Sequence, residues 1–156
     1  MKYISGLSSP VFTRSGQRTL AILGSTGSIG TSALKVVAKN TGDLRVVALA
    51  GARNMELLAR QAEELRPEYL GVLDDEKAAQ LRTLLPTGYS PRILVGEDGY
   101  TAMATLPEAD LILAAQVGAA GLVPALAAAK AGKVLCLANK EALVLAGDLF
   151  RQACVQ

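Results

Sequence analysis

The sequence predicts an α/β protein, a doubly wound and mainly parallel sheet with helices on both faces, and three observations predict it. Short apolar runs alternate strictly with helix-periodic segments. The first run ends in a glycine series, Gly24-Ser25-Thr26-Gly27-Ser28-Ile29-Gly30. The composition is 51% hydrophobic but only 4% aromatic, with Ala, Leu, Val and Gly supplying the bulk. Alternating strands and helices pack as a parallel sheet with right-handed crossovers, because a sheet apolar on both faces must be covered on both.

The elements follow in order. Arg18-Thr19-Leu20-Ala21-Ile22-Leu23 is an apolar run halted by Gly24, as suits a strand buried on both faces. Residues 28–39 carry Ile29, Ala33, Leu34, Val36 and Val37 at helical spacing, and Thr41-Gly42-Asp43 ends that helix. Residues 44–50 are a second apolar strand. A helix over residues 54–65 puts Leu57, Leu58, Ala62 and Leu65 on one stripe, with Pro67 just beyond. Residues 69–73 form the third strand, and Asp74 caps a helix running to about residue 85. A short fourth strand at 93–95 precedes a brief helix near Tyr100. Residues 110–115, a helix over 121–131, and a sixth strand at 133–137 lead to Asn139, which opens the last helix.

Residues 1–17 mix Ser, Gly, Pro and isolated apolar residues, and are expected to be a flexible extension ahead of one domain, residues 18–156. No apolar stretch suits a signal peptide or a membrane span of roughly 18 residues, so a cytoplasmic protein is expected. The chain reaches Gln156 without a helix stop signal, which reads as a fragment of something longer. A net charge of +2, from 16 basic and 14 acidic residues, leaves no footprint for nucleic acid or an anionic membrane. The absence of His excludes His-based triads and His metal sites from this chain. Cys136, in a buried strand, and Cys154, near the end, are too few for a disulfide framework and read as reduced.

The glycine series has the spacing G-x-x-G-x-x-G between first strand and first helix, a variant of the dinucleotide fingerprint of Rossmann-type domains. Gly24 permits the tight turn, Gly27 lets a pyrophosphate approach the backbone, and Gly30 lets the helix pack close to the sheet. Free N–H groups and the macrodipole at the helix start favour an anion there. A site for NAD commonly has an acid at the end of the second strand. Here that edge reads Ala50-Gly51-Ala52-Arg53-Asn54. Arg53 is placed to pair with a phosphate, which favours NADPH, while the plainer reading is an exposed Arg beside an N-capping Asn54. At the end of the sixth strand, Asn139-Lys140-Glu141 reads equally well as an ordinary first helical turn or as a ligand-facing group.

The segments LAILGSTGSIGTSAL, VVALAGARN, VGAAGLVPALAAAKAGK and LANKEALVLAG occur in this order from about Arg18 onward. Together they resemble the 1-deoxy-D-xylulose 5-phosphate reductoisomerase family of non-mevalonate isoprenoid biosynthesis. The resemblance implies an oxidoreductase and isomerase that rearranges 1-deoxy-D-xylulose 5-phosphate. It then reduces the product with NADPH to 2-C-methyl-D-erythritol 4-phosphate, aided by a divalent cation, Mg, Mn or Co. It implies that Gly24, Thr26, Gly27, Ser28 and Ile29 hold the cofactor phosphates, and that Gly51, Arg53 and Asn54 lie at its 2′-phosphate end. Asn139 and Glu141 would face the cofactor and Lys140 the phosphorylated sugar. Catalytic residues and metal ligands would lie outside this chain, leaving it inactive alone, and full-length members would be homodimers. Ala52, where Gly is frequent, and Gln116, where an apolar residue is common, depart from the pattern. Two other classes share such a loop: an aspartate-semialdehyde-type dehydrogenase, which needs a nucleophilic Cys, and a dinucleotide-sensing regulatory module.

Overall fold

The computed structural model describes residues 16–154. Its strands are β1 (Arg18–Leu23), β2 (Leu44–Ala50), β3 (Tyr69–Val72), β4 (Arg92–Val95), β5 (Leu111–Ala114) and β6 (Val134–Leu137). Between and after them run α1 (Ser28–Lys39), α2 (Met55–Leu65), α3 (Asp75–Leu84), α4 (Gly96–Ala104), α5 (Leu122–Lys130) and α6 (Lys140–Ala153). A single 3₁₀ turn, Ala119–Gly121, leads into α5. All six strands are parallel, in the order β4-β3-β2-β1-β5-β6.

The period of two along β1 divides the core. Leu20 and Ile22 join Val37 of α1, Met55 and Leu58 of α2 and Leu81 of α3 on one face. Ala21 and Leu23 point to the other face, with Tyr100 and Met103 of α4 and Ala128 of α5. A third cluster joins Ala125 and Ala129 of α5 to Ala142 and Phe150 of α6. β3 and most of β2 are buried on both faces and β5 on one, whereas the outer strands β4 and β6 are half-buried at most positions.

The strictly alternating pattern therefore produces the expected doubly wound sheet, with boundaries shifted by a residue or two. Three expectations need correction. Ile29 and Val36, placed on the buried stripe of α1, are half exposed, at 50% and 55%. Ile29 sits in a first turn that projects past the end of β1, and Val36 stands about 100° round the helix from Val37, which is buried. Cys136 is exposed, because β6 is the outer strand of the described sheet. Of the extension at 1–17, all but Gly16 and Gln17 lies outside the described residues.

Candidate nucleotide-binding crevice

The strand order reverses at β1, whose neighbours are β2 on one side and β5 on the other. At such a switch point the crossovers leave in opposite directions, and a crevice opens beyond the carboxyl ends of the strands. Three chain reversals meet there: the glycine turn after β1, the segment after β2, and the Asn139 turn after β6.

The glycine turn is tied down from below. The N–H groups of Gly24 and Ser25 both donate to Ala50 O, at 3.0 and 2.8 Å, and Gly27 N donates to Gly24 O at 3.2 Å. Its three glycines differ in what a side chain would meet. Gly24 has φ +94°, and a Cβ there would lie 2.7 Å from Ala115 O at the end of β5. At Gly30 a Cβ would fall 2.3 Å from Gly24 O and 2.5 Å from Ser25 Cα. Both positions are closed by the protein's own backbone. Gly27 is open: a Cβ would touch only Gly24 O, at 3.4 Å.

Gly27 is also the N-cap of α1, with no side-chain cap bond and no acid in the first turn. The initial N–H groups of α1 thus meet no side-chain acceptor among the described residues, and the positive end of the helix faces an exposed surface formed by Gly27, Ser28 and Ile29. Such an end suits an anion. A pyrophosphate fits it on two counts, the missing cap and the clear approach over Gly27.

After β2, Gly51 is buried, and a Cβ would meet the Thr26 side chain at 3.0 Å, so the second strand end abuts the glycine turn. Arg53 is exposed and has no partner among the described residues. Asn54 caps α2, its Oδ1 accepting from Leu57 N at 2.9 Å. The plain capping role expected for Asn54 is therefore present, alongside an unengaged Arg53.

The turn after β6 is built differently. Asn139 is 3% exposed, and its side chain is heavily engaged. Its Nδ2 donates to Gln116 O at 2.7 Å and to Gly118 O at 2.8 Å, while Oδ1 accepts from Ala142 N at 3.1 Å. Both Nδ2 hydrogens and one Oδ1 lone pair are used within the chain, so Asn139 fixes the shape of this turn. Gly121 keeps the turn closed, since a Cβ there would lie 2.8 Å from Asn139 Nδ2. Lys140 and Glu141 are exposed in the first turn of α6. A cation at a helix N-terminus opposes the macrodipole, so Lys140 gains nothing for the helix there, whereas it adds to the attraction for an anion. Gln116 Oε1 is buried without a hydrogen-bond partner.

Sequence reasoning missed one group. Ser25 is fully buried, and Gln61 on α2 is 6% exposed and hydrogen-bonded to it. The available signal was a glutamine three residues after Leu58, within an otherwise apolar stripe.

Other groups stand apart from the crevice. No three His, Cys, Asp or Glu residues gather as metal ligands among the described residues. Asp148 pairs with Arg151 at 3.5 Å. Although Cys136 is exposed, partial desolvation of its thiol raises the pKa, which disfavours the nucleophilic thiolate that the semialdehyde-type reading requires. A recess of about 540 Å³ lies among Arg66, Tyr69, Tyr89, Arg92 and Glu108, at the amino ends of β3 and β4 and away from the glycine turn. Its groups satisfy one another: Arg66 stacks on Tyr89, Arg92 on Tyr69, and the Tyr69 hydroxyl donates to Glu108.

A parallel sheet with a switch-point crevice, a glycine turn and an uncapped helix start defines a nucleotide-binding α/β domain of the Rossmann type. The family model for 1-deoxy-D-xylulose 5-phosphate reductoisomerase matches residues 20–147, and the chain belongs to that family. The reductoisomerase of Nitratidesulfovibrio vulgaris (strain DP4) is 62% identical over 154 residues, covering 99% of this chain and 38% of that protein. That of Lawsonia intracellularis is 53% identical over the same length, again 38% of its own. The chain thus spans under two-fifths of these curated relatives. Among solved structures, the reductoisomerase from Zymomonas mobilis in complex with NADPH matches with a TM-score of 0.83 at 38% identity, covering 90% of this chain and 36% of that one. A DOX-P reductoisomerase in complex with NADPH, fosmidomycin and magnesium matches with a TM-score of 0.82 at 38% identity, covering 88% and 34%.

Proposed function

We propose that residues 18–156 are the NADPH-holding domain of a 1-deoxy-D-xylulose 5-phosphate reductoisomerase. The observation that carries this is the uncapped start of α1 behind an open Gly27, in a chain of that family. In this reading Thr26, Gly27, Ser28 and Ile29 hold the pyrophosphate, Thr26, Ser28 and Ile29 through backbone N–H groups and Gly27 by leaving the approach open, with Gly24 setting the turn. Gly51 keeps β2 against that turn, and Arg53, with Asn54 beside it, binds the 2′-phosphate. Asn139 shapes the far wall, Glu141 stands toward the cofactor, and Lys140 meets the phosphate of the sugar substrate.

NADPH when bound supplies the hydride for the reduction, and a divalent cation supplies Lewis acidity. In this reading the cation's ligands lie outside residues 18–156. The enzyme as a whole isomerises and reduces 1-deoxy-D-xylulose 5-phosphate to 2-C-methyl-D-erythritol 4-phosphate, as a cytoplasmic homodimer in isoprenoid biosynthesis. No described helix is long and apolar enough to cross a membrane.

The test is calorimetric titration of NADPH into this chain, followed by an assay of NADPH oxidation with substrate and Mg or Mn. Saturable binding without turnover is expected from these 156 residues, and metal-dependent turnover from a full-length enzyme carrying them. Turnover by the 156 residues themselves would overturn the placement of the metal site.

A further inference from the structure

The buried Ser25–Gln61 pair carries a role that the glycine fingerprint does not explain. Ser25 Oγ donates to Gln61 Oε1 at 2.8 Å, and Gln61 Nε2 donates to Ser25 O at 3.0 Å. One carboxamide thus holds both the hydroxyl and the carbonyl of one residue. Ser25 N is held from another side by Ala50 O, at 2.8 Å. This fixes the residue between Gly24 and Thr26 at every polar atom it has.

The consequence lies in the next peptide. A trans peptide is planar, with its C=O and N–H pointing in opposite directions. Holding Ser25 O against α2 therefore turns the Thr26 N–H away from α2. That N–H has no acceptor among the described residues. An apolar side chain at 61 would match the stripe of Leu58, Ala62 and Leu65, yet leave this peptide free to rotate.

We infer that Gln61 is the positioning residue of the glycine turn, holding the Ser25–Thr26 peptide so that Thr26 N–H faces the cofactor pyrophosphate. This rests on the functional reading above.

The test uses Gln61→Glu, Gln61→Met and Ser25→Ala in the full chain, with NADPH titration and thermal melting. At about pH 8 the carboxylate that Gln61→Glu introduces still accepts from Ser25 Oγ but cannot donate to Ser25 O, and NADPH binding should weaken about tenfold or more. As pH falls, that acid protonates, with burial raising its pKa, and it can donate again; binding then recovers toward wild type at roughly pH 6 and below. Gln61→Met, which lacks both groups, should show the loss without the recovery, and it carries the test if the Gln61→Glu variant does not fold. Ser25→Ala keeps the carbonyl bond and should change affinity only about twofold. A merely structural Gln61 would lower the melting temperature while leaving the affinity of the folded protein unchanged. Wild type that fails to bind NADPH would sink the functional reading and this inference together. Folded Gln61 variants that bind as tightly as a binding-competent wild type would sink this inference alone.

Discussion

Two helix starts face the crevice, and they are finished in opposite ways. At α1 the cap is Gly27, the turn is open and the first N–H groups have no side-chain acceptor among the described residues. At α6 the cap is Asn139, whose buried side chain closes its own helix and binds two upstream carbonyls. Both follow parallel strands at the same edge of the sheet, so position alone does not separate them. Polar satisfaction does. A helix end complete within the protein gains little from a ligand, while one left incomplete gains a charge-assisted partner when an anion arrives. In the proposed function the α1 end is the binding element, and the α6 end is a wall that presents Lys140 and Glu141.

The strongest way to break this comparison lies within the glycine turn itself. Gly30→Ala should damage folding, because its Cβ would sit 2.3 Å from Gly24 O, a backbone atom that cannot yield cheaply. Overpacking of this kind costs about 1–3 kcal/mol or more. Gly27→Val should leave the melting temperature nearly unchanged, since φ −80° and ψ 174° suit a β-branched residue. Its side chain would nonetheless occupy the pyrophosphate approach and abolish NADPH binding. If Gly27→Val binds normally, the open glycine is not part of the site. If Gly30→Ala melts like wild type, the close packing of α1 on the turn is wrong.

At the α6 end the expected order is reversed, with stability falling and cofactor contacts changing less. Asn139→Ala removes a cap, worth about 1 kcal/mol, and deprives two carbonyls of their donor. Gly118 lies in an exposed stretch, so water can replace part of that loss, and a total of about 2 kcal/mol is expected. Thermal or urea denaturation without ligand measures it. Stability unchanged from wild type would show that the Asn139 cluster is dispensable and the contrast between the two helix starts misplaced.

Arg53 sharpens the comparison on the binding side. It has no described partner to lose, so Arg53→Ala should leave folding intact. Hydrogen bonds to charged groups contribute roughly 1.5–3 kcal/mol, so NADPH affinity should drop about tenfold to a hundredfold, with little effect on NADH. Parallel titrations with the two cofactors decide it, and equal losses would remove Arg53 from the 2′-phosphate.

Most of the fold could be read directly, and the reason is local. Residues 18–23 and 44–50 are continuous apolar runs, and Asn54, Asp74 and Asn139 each stand at a helix start, where their side chains cap it. The exposure of Ile29, Val36 and Cys136 was not legible, since each depends on where an element lies relative to the sheet's edges. Periodicity reports which side of an element is apolar, but not how far its neighbours extend. The site divides along the same line. The glycine spacing announced the turn, whereas the Ser25–Gln61 pair joins residues 36 apart in sequence and becomes visible only when α2 is packed.

Lys140 gives the smallest expected effect on the domain and the finest test of the division between the two ends. It is exposed in the first turn of α6, where a positive charge opposes the helix macrodipole. Lys140→Ala should therefore stabilise the free protein slightly, by about 0.3–1 kcal/mol at low salt. NADPH affinity should stay close to wild type if, as proposed, α1 holds the pyrophosphate and Arg53 the 2′-phosphate. In a full-length enzyme carrying this domain, the change should appear instead as a raised KM for the phosphorylated sugar, with the phosphate losing a charged partner. Lys140→Arg should recover part of that loss through charge alone. The separation is the point of the measurement. A variant whose NADPH affinity falls while its substrate KM holds would show that the wall at α6 also binds the cofactor, and that the two helix starts share one ligand.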